Sequence, residues 1–217
     1  MKKKNEFIFK FTLKRMVLML TGILLIGMCV ASYRMSGFGV DPFSCMNLGI
    51  SSFLGMSFGN WQLIMNAALF LIVWFSVRHC IGLGTIINMV LVGYTADFLC
   101  WLFLEQMGLS VTFTLRILLL LLGTLFASMG CACYMTADMG IAPYDSVAFI
   151  ITTYAKEKIS FRVARILSDL TVIAVGILFC FMAHHSVWEI VGPGTIVNAC
   201  CNGPLIQFFR GKLEKLQ

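Results

Sequence analysis

Four carboxylates stand where this chain is otherwise apolar: Asp41, Asp97, Asp145 and Asp169. An ionised group inside hydrocarbon is costly, so such residues mark solute paths, proton relays or paired charges. Asp169 lies well inside an apolar run, and Arg165, one helical turn earlier, is its obvious ion-pair partner. Asp41 directly precedes Pro42 and reads as the N-cap of a helix. Asp145 follows Pro143 by two residues, where an acid complements the helix dipole. Neither capping role excludes a ligand role, because the ends of broken helices are where transporter sites are built. Asp97 falls near the end of its run and is expected to reach the interface. Three amides, Asn66, Asn88 and Asn198, share the apolar setting. Asn88 and Asn198 suit hydrogen bonds between helices or a pair of matched site positions.

Two short segments, 42–55 and 143–155, carry polar stripes. Ser44, Asn47, Ser51 and Ser52 in the first correspond to Asp145, Ala148, Thr152 and Thr153 in the second. Spacings of three, four and seven put most of these on one helical face. Such a face belongs against protein or a water-filled cavity, and the two stripes are expected to face each other near the bilayer interior, with Ser51 and Thr152 turned away from lipid. Covalent chemistry has no comparable signal. The sequence has no G-x-S-x-G and no H-E-x-x-H, and His79, His184 and His185 lie in links between runs. The nine cysteines mostly fall inside apolar runs without C-x-x-C spacing, and read as small apolar fillers at helix contacts. No enzyme, cofactor, disulfide framework or metal site is expected.

The elements that must position these residues are membrane helices. The chain is 59% apolar and 12% charged, with a mean hydropathy of +0.91. That is too few charges to solvate a globule. The net charge of +6 comes from basic residues at segment ends: Lys2, Lys3, Lys4, Lys10, Lys14 and Arg15 before the first run, Arg210, Lys212 and Lys215 after the last. This distribution fixes membrane orientation with both termini cytoplasmic, and it is not a nucleic-acid stripe. The first run resembles a signal peptide, but it is too long for one and its pattern returns at Leu115–Tyr134, so it is a structural span. Six stretches are long enough to cross: 14–35, 61–78, 83–104, 113–135, 163–183 and 192–209. The polar-striped segments are too short, and each begins with Pro at its first turn.

A motif binds the elements together, and the chain contains it twice. Gly39-Val40-Asp41-Pro42 is followed by Gly82-Leu83-Gly84-Thr85-Ile86-Ile87-Asn88. Gly140-Ile141-Ala142-Pro143 is followed by Gly192-Pro193-Gly194-Thr195-Ile196-Val197-Asn198. A constant offset pairs Gly22 with Gly123 and Tyr33 with Tyr134, and small gaps extend the match to Asn66 with Asp169 and Gly93 with Gly203. The chain therefore divides into a basic N-terminus (1–12), a first unit (13–104), a link (105–112), a second unit (113–209) and a tail (210–217), all in one membrane domain. The expected fold is all-α and polytopic: two tandem repeats, six long spans and two short Pro-headed helices. If the short helices dip in and return, each unit crosses three times and the copies are inverted. If they cross, the copies are parallel. The distribution of Lys and Arg does not separate these arrangements, and length favours re-entrance.

The stretches G-F-G-V-D-P-F-S and G-L-G-T-I-I-N-x-x-x-x-G resemble those of the YczE/YyaS/YitT group of bacterial multi-pass membrane proteins, the YczE branch above all. Phe43 and Tyr144 stand after the motif prolines, where such families often carry Trp. The resemblance implies the bacterial plasma (inner) membrane and a repeat architecture, and it names no substrate. Duplicated units with paired short helices point to a permease or channel with a site between repeats. Asp145, Asp169, Asn66, Asn88, Asn198, Ser51 and Thr152 would line that site. The short-helix N-termini would offer positive dipole to a small polar or anionic solute. The alternative is a non-transporting accessory protein supporting a membrane enzyme or another transporter, with the 155–162 link as its docking segment. The bilayer is the one partner the sequence establishes; protein partners and oligomeric state are not legible.

Overall fold

A computed structural model describes residues 13–156 and 158–215, so the basic N-terminus 1–12 and Glu157 of the 155–162 link lie outside the described residues. The described residues are helical, in the order α1 (Leu13–Ser36), α2 (Pro42–Leu54), α3 (Phe58–Ser76), α4 (Leu83–Cys100), α5 (Phe113–Ala137), α6 (Pro143–Tyr154), α7 (Phe161–Met182) and α8 (Pro193–Glu214). A π-turn, Trp101–Gln106, prolongs α4. Local chemistry sets the boundaries. Asp41 caps α2, its carboxylate accepting from Ser44 N–H at 3.0 Å, with Pro42 in the first turn. Gly55, left-handed at φ 64°, ends α2. Ser57, Thr112 and Ser160 cap α3, α5 and α7 in the same way.

Among the described residues five helices are long and apolar enough to cross a membrane: α1, α3, α4 with its π-turn, α5 and α7. The expected sixth, α8, forms a helix of sufficient length but is not apolar enough to stand among them. Thr195, Asn198, Asn202, Gln207 and the in-helix Pro204 lower its apolar content.

Contacts fix the relative directions. α1 and α5 lie antiparallel in close contact: a Cβ placed on Gly22 would meet Gly130 and Tyr134, and one on Gly123 would meet Ser32 and Tyr33. Small residues at this seam let the backbones approach. α4 runs beside α1 in the same direction, since Gly84 neighbours Met19 and Gly27 neighbours Thr95. α8 begins beside the start of α5, where Gly194 neighbours Leu120, and Asn202 accepts from Ser128 Oγ at 2.9 Å further along. Both short helices pack on α3 and α7: α2 lies mainly on α7, with Gly49 against Gly176, and α6 divides between the two.

The core divides accordingly. One cluster, with Met19, Ile23, Ala96 and Tyr134, fills the space between α1, α4 and α5. Another, with Tyr33, Val40, Leu120 and Cys180, gathers the end of α1, the start of α5 and the end of α7. The opposite end holds Val73, Val77, Cys80 and Ile81 with Ile141 and Phe149. The ends of α1 and α7 thus lie on one side of the molecule, and the ends of α3 and α5 on the other. The described cysteine side chains are free, and five of them (Cys29, Cys45, Cys80, Cys133, Cys180) are buried, in keeping with packing roles.

Candidate functional site

The duplicated motif is a pair of clasps between distant segments. Thr195 Oγ1 donates to Val40 O at 2.9 Å, and Gly194 N–H donates to Phe38 O at 2.7 Å. Val40 N–H in turn donates to Ile190 O at 3.1 Å. The other clasp repeats the pattern: Thr85 Oγ1 to Ile141 O at 2.8 Å, Gly84 N–H to Met139 O at 2.8 Å, Ile141 N–H to Cys80 O at 2.9 Å. Each threonine also accepts from the glycine that opens its helix, Gly192 at 3.3 Å and Gly82 at 3.1 Å. Gly39 and Gly140 must be glycine, with φ of 95° and 115°; a Cβ there would also strike Gly192 N and Gly82 N at 2.5 and 2.6 Å. Gly39, Pro42, Gly82, Gly84, Thr85, Gly140, Pro143, Gly192, Gly194 and Thr195 therefore build the frame in which the short helices begin.

Between the clasps the first turns of the two short helices meet. Phe43 and Tyr144, the residues after the motif prolines, stack with ring centroids 4.5 Å apart. Tyr144 Oη donates to Asp169 Oδ1 at 2.5 Å, and its ring lies under the Arg165 guanidinium at 4.8 Å. Arg165 pairs with Asp145 at 2.5 Å and with Asp169 at 3.2 Å. The i,i+4 pair is the one expected from spacing; the Asp145 pair is made across the α6–α7 hairpin. Asp41 adds a third carboxylate within electrostatic range of Arg165 and Asp169. The group is not sealed: Asp145 keeps 46% and Arg165 34% of the side chain accessible. Charged groups with that much open surface inside a membrane helix bundle require water or a ligand beside them.

The other expected site residues fall in different settings. Asn66, Asn88 and Asn198 are buried on α3, α4 and α8. Ser51 is buried and bonds its own helix through Leu48 O at 3.2 Å, and Thr152 does likewise through Ala148 O at 2.8 Å. The short helices thus approach through aromatic rings at their first turns, and these hydroxyls turn back to their own backbones. Their polar stripes are not the seam between them, because α2 spends its length against α7. Asp97 does more than reach an interface. It accepts from Arg34 Nη1 at 2.7 Å and from Gly59 N–H at 2.6 Å, tying α1, α4 and the start of α3 together. Arg34 also lies over the Phe58 ring at 4.7 Å. Tyr144 gave no sequence signal beyond its place after the motif proline, and Arg34 none beyond its type. Among the described residues no group of His, Cys, Asp and Glu has the makings of a metal site.

Apolar helices of crossing length, with charge only in an internal cluster and at helix ends, define a multi-pass helical membrane protein. The chain belongs to the family of unknown function DUF6198, matched over residues 13–211. It is 28% identical to the uncharacterized membrane protein YczE of Bacillus subtilis (strain 168) over 176 residues, 78% of this chain and 73% of that one. It is 24% identical to the uncharacterized protein YyaS of the same organism over 195 residues, 89% of this chain and 91% of that one. An uncharacterized protein of Haemophilus influenzae is 23% identical over 203 residues, 94% of this chain and 86% of that one. The YczE/YyaS resemblance seen in the motifs is therefore a family relationship. No solved structure matches.

Proposed function

We propose that the chain is a small permease or channel built from two inverted repeats, with its solute site at the Arg165–Asp145–Asp169–Tyr144 cluster. The observation that carries this reading is the meeting of the two short-helix N-termini, Phe43 on Tyr144, directly beside an accessible charged cluster. Paired helix starts at an internal site between repeats are the usual construction of secondary transporters. Inversion is supported by the antiparallel α1–α5 seam and by the packing of α2 on α7 and of α6 on α3, each reaching across to the other half. Re-entrance is supported by α2 itself: its first turn lies beside the Asp169 cluster, and its last turn, with Phe53 on Phe179, lies toward the side where α1 ends. In this reading α8 is the sixth span, its polar residues turned inward, and both termini are cytoplasmic in the inner membrane.

The charge balance revises the expected solute. Asp145 and Asp169 share a single guanidinium, so the ionised cluster is net negative. A cationic or neutral polar solute, or protons, complements it; an anion is repelled. Purified protein in liposomes, tested with a panel of small organic cations, amino acids and inorganic ions under imposed proton and sodium gradients, decides the matter. The expected result is uptake of a cationic or polar solute that Asp169→Asn abolishes. Protein that binds and moves nothing from the panel, and co-purifies with a stoichiometric partner in mild detergent, sinks the permease reading and leaves the accessory role.

A further inference from the structure

The two helix pairs that flank the site are in different states. On the side where α1 ends, the start of α3 is packed against the end of α4. A Cβ on Gly93 would meet Gln62 Oε1 at 2.8 Å and Gly59 Cα at 2.9 Å. Asn60 Oδ1 accepts from Tyr94 Oη at 2.9 Å, and the Arg34–Asp97–Gly59 bonds lock the same junction. Phe58, Gly59, Gln62, Val92, Gly93 and Ala96 are all buried there. The corresponding pair on the other side is the start of α7 and the end of α8, and no comparable packing joins them. Gly203, which the sequence aligns with Gly93, has nothing within 4 Å of a Cβ. Arg162, Val163, Cys201, Gly203 and Pro204 are exposed. Asn202 bonds Ser128 near the middle of α5, so the unpacked stretch of α8 begins near mid-depth.

We infer that the gap between α7 and α8 is the solute's entry path, open in this state toward the side of the α1 N-terminus, and that transport proceeds by exchanging it with the closed α3–α4 junction. The inference rests on the permease reading above. Asp145 at the start of α6 and Arg165 near the start of α7 could not keep their exposure against hydrocarbon, so water must reach them, and the unpacked α7–α8 junction is the route this inference gives it. Closure brings Gly203 onto α7 near Arg162 as Gly93 now sits on Gly59, and it releases the Arg34–Asp97 clasp at the far end. Related halves with opposite orientation make such an exchange possible without any new contact type, because each junction has a template in the other. The missing counterpart of the Arg34–Asp97 pair, Met135 with Gln207 by the same alignment, leaves the α7–α8 junction the weaker of the two, so the open gap is the resting state.

The test uses the full chain freed of its native cysteines, in sealed membrane vesicles of both orientations, with a charged, impermeant methanethiosulfonate as probe. Single cysteines at Gly203→Cys and Asp145→Cys are expected to label about tenfold or more faster from the side of the α1 N-terminus than from the other, the ratio set by the excess of the open state. A cysteine pair, Arg162→Cys with Gly203→Cys, is expected to form a disulfide on mild oxidation in the membrane, since closure brings the two helices within bridging distance. Labelling from the opposite side, or from neither as a covering second copy would produce, overturns the entry path; failure of the pair to cross-link overturns the closure. These readouts do not depend on transport. Sided labelling without transport of any solute refutes the permease reading alone, and transport without sided labelling refutes the path alone.

Discussion

Replacing Thr85 by Val removes one oxygen and little volume, and the clasp geometry sets what that should cost. Thr85 is fully buried, and its Oγ1 serves two backbone groups, donating to Ile141 O at 2.8 Å and accepting from Gly82 N–H at 3.1 Å. Valine leaves both groups, at the half-buried Gly82 and Ile141, without a partner, each loss costing about 1–3 kcal/mol with water offsetting part of it. Allowing for partial relaxation of the Gly82 turn, Thr85→Val should destabilise by about 2–4 kcal/mol, which for a chain of this size lowers Tm by roughly 5–15 °C. Thr195→Val removes the matching pair, to Val40 O and from Gly192 N–H, and should fall in the same range. Thr85→Ser keeps both bonds and gives up only a methyl group, a loss of about 1 kcal/mol. The assay is thermal unfolding in detergent followed by fluorescence-detected size exclusion. Valine variants within a degree or two of the parent, or a serine variant as damaged as the valine one, would refute the argument that these hydroxyls hold the chain together.

Three further outcomes are expected. Cysteines placed in the Met56 and Lys158 links, in a cysteine-free background, should be labelled by an impermeant thiol reagent from opposite faces of the membrane; labelling of both from one face would mean that α2 and α6 cross it. Ser51→Leu should destabilise by about 1–3 kcal/mol through overpacking, because Ser51 is buried, whereas Thr152→Leu should cost less because Thr152 is only half-buried; parallel melting curves read the difference, and equal losses would contradict it. On the permease reading Arg165→Gln should abolish solute uptake, and Asp145→Asn added to it should restore part of the lost thermal stability, because, of the two carboxylates Arg165 holds, only Asp169 then lacks its partner; a double variant less stable than the single one would show that Asp145 is not held by Arg165.

Local features of this architecture were legible in sequence, and long-range ones were not. Asp41-Pro42 announced a capped helix start because the cap acts over three residues, and Asp169 found Arg165 because the spacing is one turn. The glycine motif was visible as a repetition, but its reason was hidden: each threonine bonds a turn 56 or 155 residues away, and nothing local reports such a partner. The same holds for Arg34 with Asp97, 63 residues apart. The polar stripes of α2 and α6 suggested that the short helices lie along each other. In a bilayer, however, side-chain polarity weakly specifies which neighbour a helix takes, and the Gly49–Gly176 approach decided it for α2. Tyr144 could be placed after its proline, yet only the fold shows its hydroxyl on Asp169.

The clasp at Val40 has a consequence for how the protein is made. Its partner, Thr195, is synthesised 155 residues later, which at about 5–20 residues per second is a wait of roughly 10–30 s. The Thr85–Ile141 clasp, spanning 56 residues, completes in about a third of that time. Throughout the longer interval the Phe38 and Val40 carbonyls have no partner from the bundle, and a bare peptide group is poorly tolerated in lipid. The nascent first half is therefore obliged to wait beside water or the insertion machinery. α8, the least apolar of the long helices, supplies the donors for both carbonyls and packs along α5. A chain released before Gly192 should reach the membrane with an open wound at the start of α2, and cellular quality control would meet it there.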